Sequence, residues 1–396
     1  MKFLHTGDWH LGKTLHNTPL VEDQENLLKQ VLDIFEAAQK AGEPYDALMI
    51  PGDLYDRAIP SVAAVKMFDR FLDEMSGRFK ETHVFILAGN HDGPDRLGFA
   101  SSFLERSNIH ICTQAEDIAK CTVVNGTAVY QIPFLMPGSF GDGLSKQGEL
   151  FERAAKIIDE DHRKNHPDLP TVVCTHATVY GGADENFSVG TATSIDPKIF
   201  ENFTYTALGH IHKFQQIGKS GKIFYSGSPI AYSFDDDAQK VFLSVEIGAG
   251  MEKPDSVEQI KVDTLHPVVR LRGKFQDFME KAEFDKYKDF YMEIKSTDAV
   301  PIHNAKQLLK AKFPHLLSFV RESTLSMEQN EDFRERKRML QEKKSTSELL
   351  RKFLEEIYTV EGAGGEKTLA ENAKIDEKIR LFEKLVGDSL NRRSDK

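Results

Sequence analysis

"KFLHTGDWHLGK", residues 2–13, decides how the rest of the chain reads. A short strand, Lys2–Thr6, runs straight into Gly7, Asp8, Trp9 and His10. A carboxylate and an imidazole two positions apart, directly after an apolar run, fit a polar surface turn. They also fit one edge of a metal site, provided the chain supplies more ligands in the same way elsewhere.

Four later segments do so. "YDALMIPGD" (45–53) is a buried strand leading into "GDLYDR", with Asp53 and Asp56. "THVFILAGNHD" (82–92) ends in Asn90, His91 and Asp92. "TVVCTH" (171–176) ends at His176, and "YTALGHIH" (205–212) at His210 and His212. Each polar set sits at the C-terminal end of an apolar strand, where crevices form in α/β sheets. Taken singly, each has a plainer reading. "GNHD" is a turn-forming composition, "GDLYDR" fits a loop with Asp as helix cap, and "GHIH" is two histidines on one strand face. The conjunction favours a site.

The donor types narrow the chemistry. Asp, Asn and His without Cys suit Mn²⁺, Fe²⁺ and similar octahedral ions better than structural zinc. The donors are too many for one ion and the right number for two. Two such ions can activate a water and neutralise a phosphate together.

Between these strands lie helical patterns. Leu27, Leu28, Val31, Leu32 and Phe35 recur at helical spacing within 21–42, and 61–75 is a helix with Ser61 as N-cap. Gly148–Asn165 reads as a helix and 121–132 as a hairpin turning at Asn125-Gly126. The expectation is an α/β, layered α-β-β-α domain over residues 1–265. Residues 266–322 read as a small β-α-β unit. A charged linker, 323–345, precedes a helical segment, 346–396, whose apolar stripes fit a partner surface. Trp9 is expected to pack behind the ligands, and Asp92 to cap its loop rather than react.

Bulk properties fit an ordinary globular chain: 396 residues, 40% hydrophobic, 29% charged, net charge −11. That charge argues against whole-surface coating of DNA but allows a local basic groove. No apolar run approaches a membrane span, and the N-terminus lacks the apolar core of a signal peptide. The three cysteines form no C-x-x-C pair and read as apolar filler in a reducing cytoplasm. "GAGGEK" (362–367) lacks P-loop spacing and reads as a flexible connection.

The series D-x-H, G-D-x-x-D, G-N-H-D, a lone His and G-H-x-H resembles the signature of the calcineurin-like metallophosphoesterases. Within that superfamily, "HTGDWHLGKTL", "GDLYDR", "GNHD", "LGHIH" and the following "YSGSP" (225–229) resemble the SbcD family of bacterial nuclease subunits. The resemblance implies a four-layer α-β-β-α sandwich with a small capping domain and C-terminal helices. It implies that Asp8, His10 and His212 hold one Mn²⁺ ion, that Asn90, His176 and His210 hold a second, and that Asp53 bridges them. His91 would face the scissile phosphate, with Asp56 orienting it. The implied activity is double-strand exonuclease and hairpin or blocked-end endonuclease cleavage of DNA in repair, recombination and replication. The implied partners are an SbcC-type ATPase, a second copy of the chain within a heterotetramer, and DNA. Candidate DNA contacts are Arg270, Arg272, Lys274 and Lys281. A phosphomonoesterase or cyclic-nucleotide phosphodiesterase on the same scaffold, and a non-catalytic scaffold, are the competing readings.

Overall fold

The alternation of side chains along the first strand, β1 (Lys2–His5), shows how the layers are built. Phe3 enters one buried cluster and Leu4 another, because successive residues of a strand face opposite ways. Both faces of the strand are therefore covered. The computed structural model describes residues 1–141, 143–179, 188–189, 192–236, 239–322, 376 and 378–380.

β1 lies inside a six-stranded sheet. Its order is Ser256–Lys261, Val241–Glu246, β1, Ala47–Ile50, His83–Leu87 and Ile109–Cys112. β1 and the three strands beyond it are parallel. A second six-stranded sheet runs Gln215–Ile217, Ile223–Tyr225, Tyr205–Gly209, Thr171–His176, Thr127–Ile132 and Thr122–Val124. Its four central strands are parallel too. Strands buried on both faces read as unbroken apolar runs, which is why "ALMI" and "TVVC" stood out in the sequence.

The two sheets pack through Phe3, Met49, Phe85, Val172, Cys174, Tyr205 and Phe224. On the outer face of the first sheet lie α1 (Val21–Ala41) and α2 (Val62–Arg78). Their buried Leu27, Val31, Phe35, Met67 and Phe71 meet Leu4, Leu48 and Ile86. Ser61 caps α2, its side chain accepting from the Ala64 N–H. The helix Gln147–Asn165 covers the second sheet with Leu150, Phe151, Ala154 and Ile158. The result is the α-β-β-α order expected. All five strands bearing the polar motifs are interior strands whose C-terminal ends open at the same edge.

A three-stranded sheet, Val268–Gly273, Tyr291–Ser296 and Leu316–Arg321, follows with helices Phe275–Glu280 and Ala305–Lys312 between its strands. The unit thus alternates three strands with two helices, the first two strands parallel, where the sequence suggested a small β-α-β unit. It has its own core of Phe278, Met292, Ile294, Leu309 and Phe313. It rests on α1 through Asp23, which accepts from the Tyr291 hydroxyl (2.8 Å) and the His266 N–H (3.1 Å). Residues 1–320 form one compact unit, and 321–396 a second. The charged stretch 328–344 and the first C-terminal helix lie outside the described residues. Of the second helix only 376 and 378–380 are described, in helical conformation. Among the described residues, no helix is long and apolar enough to cross a membrane. Cys112 and Cys174 are buried and Cys121 half-buried, all as free thiols.

Candidate metal centre

At the strand ends the chain must turn sharply while keeping its donors aimed inward. Asp8, His10 and Asp53 do so with left-handed φ of 54°, 43° and 49°, and His210 with 107°. Such backbone costs about 1–3 kcal/mol per residue and persists only where the surroundings impose it. They do. Asp8 N–H donates to Gly52 O (3.3 Å) and His10 N–H to Asp53 O (2.9 Å), zipping the first two loops together. Gln24, on the buried face of α1, accepts from Gly12 N–H (3.0 Å) and donates to His10 O (2.9 Å). Asp92 accepts three main-chain N–H groups, from Leu54 (3.1 Å), Tyr55 (2.9 Å) and Gly89 (3.0 Å). It therefore joins the loop of Asp53 to that of Asn90. Gly89 is needed for the same closeness: a Cβ there would lie 2.2 Å from Asp53 Oδ1.

The donors from the two sheets meet. His176 Nε2 lies 2.9 Å from Asn90 Oδ1, 3.5 Å from Asp53 Oδ2 and 3.2 Å from His210 Nδ1. His10 Nε2 lies 3.1 Å from His212 Nε2 and 3.6 Å from Asp53 Oδ2. Donor atoms of Asp8, His10 and His212 all fall within 4.8 Å of one another, as do those of Asp8, Asp53 and His176. Asp53 therefore stands between the two histidine pairs.

The electrostatics of this cluster fit bound cations. Asp8 Oδ2, His10 Nδ1 and His210 Nε2 are buried and have no hydrogen-bond partner among the described residues. Burial, and next the charge of Asp53, hold the Asp8 carboxyl well above its usual range. Burial raises Asp53 as well. Burial also lowers His176, His210 and His212 to about 4 and His10 further still, so all four imidazoles are neutral at pH 7. Neutral imidazole is the ligating form. His176 Nδ1 lies 2.8 Å from the Pro51 carbonyl, and donating to it leaves the Nε2 lone pair facing the cluster. Two buried carboxyl groups beside four neutral imidazoles make a donor set suited to divalent cations.

His91 lies at the rim, its ring edge-on to His10 at 4.7 Å. Asp56 is beside it, but the contact differs from the one the resemblance implied. His91 Nδ1 lies 2.9 Å from the main-chain carbonyl of Asp56, not from the carboxylate. That carboxylate is held by Lys13 Nζ at 2.6 Å. Trp9 is fully buried, packed edge-on against Phe68 and Phe71, with its Nε1–H on Thr6 Oγ1 at 3.0 Å. Its carbonyl takes the hydroxyl of Tyr232, whose ring lies against His10 and His212.

The weaker candidates lie elsewhere. Arg270, Arg272, Lys274 and Lys281 are exposed on the small domain. Arg270 is ion-paired with Glu293 and Asp235, and Lys281 with Asp277. Gln24, Lys13 and Tyr232 had not been singled out in the sequence. Gln24 carried a faint signal, because it shares the helical face of Leu27, Leu28 and Val31.

The family model for calcineurin-like phosphoesterase matches residues 1–214, more than half of the chain. The chain belongs to this family, whose members are metal-dependent phosphoester hydrolases. A second family model, the SbcD_C or type 5 capsule protein repressor C-terminal domain, matches residues 264–358. Among solved structures, TT1561 of Thermus thermophilus is 15% identical, with a TM-score of 0.39 over 66% of this chain and 99% of its own.

Proposed function

We propose that this chain is the nuclease subunit of an SbcCD-type complex and cleaves DNA phosphodiesters with two Mn²⁺ ions. The observation that carries this reading is the joining of seven O and N donors from two sheets, with His91 beside them, in a chain that also matches the SbcD C-terminal domain. Asp8, His10 and His212 would hold one ion, Asn90, His176 and His210 the other, with Asp53 shared. The ions supply Lewis acidity toward the phosphate and a hydroxide at neutral pH.

The chain's own residues do the rest. With Nδ1–H on the Asp56 carbonyl, His91 presents Nε2 to the substrate and protonates the departing sugar oxygen. Asp56 and Lys13 act behind it, neutralising one another so that no unpaired anion repels the phosphate. Asp92, Gln24 and Tyr232 keep the donors in place.

The proposed division is a nuclease domain at 1–265, a capping domain at 266–322, a charged linker at 323–345 and a partner-binding segment at 346–396. Arg270, Arg272, Lys274 and Lys281 would meet the DNA backbone, Arg270 and Lys281 by exchanging their carboxylate partners for phosphates. A second copy of the chain would cover Ile59, Val62 and Val65 together with Phe99 and Phe103, all exposed. The segments leading into them are tied by Arg96 donating to Ala58 O at 3.1 Å. The segment at 346–396 would take the SbcC-type ATPase, in the cytoplasm.

The deciding test is hydrolysis by the chelator-treated chain resupplied with Mn²⁺, with and without the ATPase. Hairpin DNA, blunt duplex, bis-p-nitrophenyl phosphate and p-nitrophenyl phosphate are compared. Cleavage of the monoester alone would replace the nuclease reading with a phosphomonoesterase. Inertness toward all four would leave a scaffold.

A further inference from the structure

Lysine is almost never fully buried without a purpose for its charge. Lys240, at the start of Val241–Glu246, is only 3% exposed. Its ammonium reaches back to the loops behind the metal centre. Nζ donates to the His212 carbonyl at 3.2 Å and to Ser228 Oγ at 3.2 Å, and lies 3.7 Å from Asp236 Oδ2. Asp236 in turn accepts from the Tyr232 N–H at 2.7 Å. One ammonium thus joins three segments: the "GHIH" loop, the "YSGSP" loop and the 232–236 loop that covers His10 and His212.

The His212 carbonyl is the hub of this arrangement. It also accepts the Ser228 N–H at 3.2 Å. Gly227 presses so close that a Cβ would lie 2.9 Å from that same oxygen. The front of the residue, its imidazole, meets His10 at 3.1 Å. A residue gripped at its carbonyl has little freedom left in ψ, and the ring direction follows the backbone.

We propose that Lys240 is a positioning residue of the metal centre, fixing the main chain of His212 so that its imidazole stays opposed to His10. The inference rests on the metal-centre reading above. It assigns the lysine no contact with substrate and no proton to carry. Residues supporting a ligand in this manner change metal affinity by about 10–100-fold when lost.

The test is Mn²⁺ titration of the metal-free full chain, read by the electron paramagnetic resonance signal of free Mn²⁺, together with its thermal unfolding. Lys240→Met keeps the length and loses the charge. Lys240→Arg keeps the charge. The Met variant is expected to bind one ion at wild-type affinity and the other at least tenfold more weakly, and the Arg variant to recover most of that loss. Lys240→Gln, which retains one N–H donor, carries the same test if the Met variant gives no cooperative melt. Wild-type affinity for both ions in Lys240→Met or Lys240→Gln would overturn the proposal. So would the absence of folding in both, which would make the lysine a support of the fold rather than of the centre. Wild-type protein that binds fewer than two ions would instead overturn the metal-centre reading, and this inference with it.

Discussion

Asp92 offers the sharpest perturbation, because its carboxylate accepts three main-chain N–H groups and is only 6% exposed. Asp92→Ala leaves all three donors buried and unpaired. A buried donor left unsatisfied costs about 1–3 kcal/mol, so relative to the protonated acid the gross loss is about 6 kcal/mol. The buried charge offsets part of this. Burial, and next the charge of Asp53, push the Asp92 carboxyl up to about 6. That displacement from the usual value corresponds to about 3 kcal/mol against the ionised form. The net expectation is about 3 kcal/mol of destabilisation at pH 7.5, read from urea unfolding of the metal-free chain. A loss under about 1 kcal/mol would refute the view that Asp92 ties the two loops. The pH dependence adds a sign. The folded protein holds a proton on Asp92 below about pH 6 that the unfolded chain releases until about pH 4. Wild type therefore gains stability from this residue as pH falls from 7.5 to 5, and the gap to Asp92→Ala should widen. A gap that narrows would show that the donors outweigh the burial.

Three further outcomes follow from the geometry. His91→Ala should bind Mn²⁺ as wild type does and hydrolyse bis-p-nitrophenyl phosphate about 10²–10⁴-fold more slowly; an unchanged rate would remove His91 from the chemistry. Gly89→Ala would place a Cβ 2.2 Å from Asp53 Oδ1, so Mn²⁺ affinity should fall at least tenfold, and normal titration would refute that packing. His5 is fully buried, its ring nitrogens 3.0 Å from Tyr205 Oη and 3.2 Å from Leu208 O, and burial lowers it to about 3. The unfolded chain takes up its proton below about pH 6.5 and the folded protein does not, so this residue costs about 2 kcal/mol of stability at pH 5. His5→Leu should flatten the decline between pH 7 and 5, and an equal slope in both proteins would count against it.

What could be read from the sequence was whatever had a local pattern. A run such as "ALMI" before Gly52 and Asp53 announces a buried strand and the polar turn after it, and five such endings announced a shared edge. Asn125-Gly126 marked its hairpin, with both residues at positive φ. The short strand Ile109–Cys112 escaped because its His110 breaks the apolar run. In the structure His110 pairs with His83 at 2.9 Å and stacks on Phe85. The supports of the centre escaped for another reason. Gln24, Tyr232 and Lys240 gain their meaning only from residues some 14 to more than 200 positions away, such as His10, Trp9 and His212. The Asp56 contact shows the same limit, since residue type suggested a carboxylate partner for His91 while the backbone supplied a carbonyl.

The division of donors between two sheets has a mechanical side. Asp8, His10, Asp53 and Asn90 belong to one sheet, and His176, His210 and His212 to the other. Ions held by both sets would act as rivets through the seam, resisting any sliding of one layer over the other. A pull applied to either sheet is then resisted by donor–ion bonds as well as by apolar packing. Chelation should lower the force needed to part the layers at the edge where the donors lie.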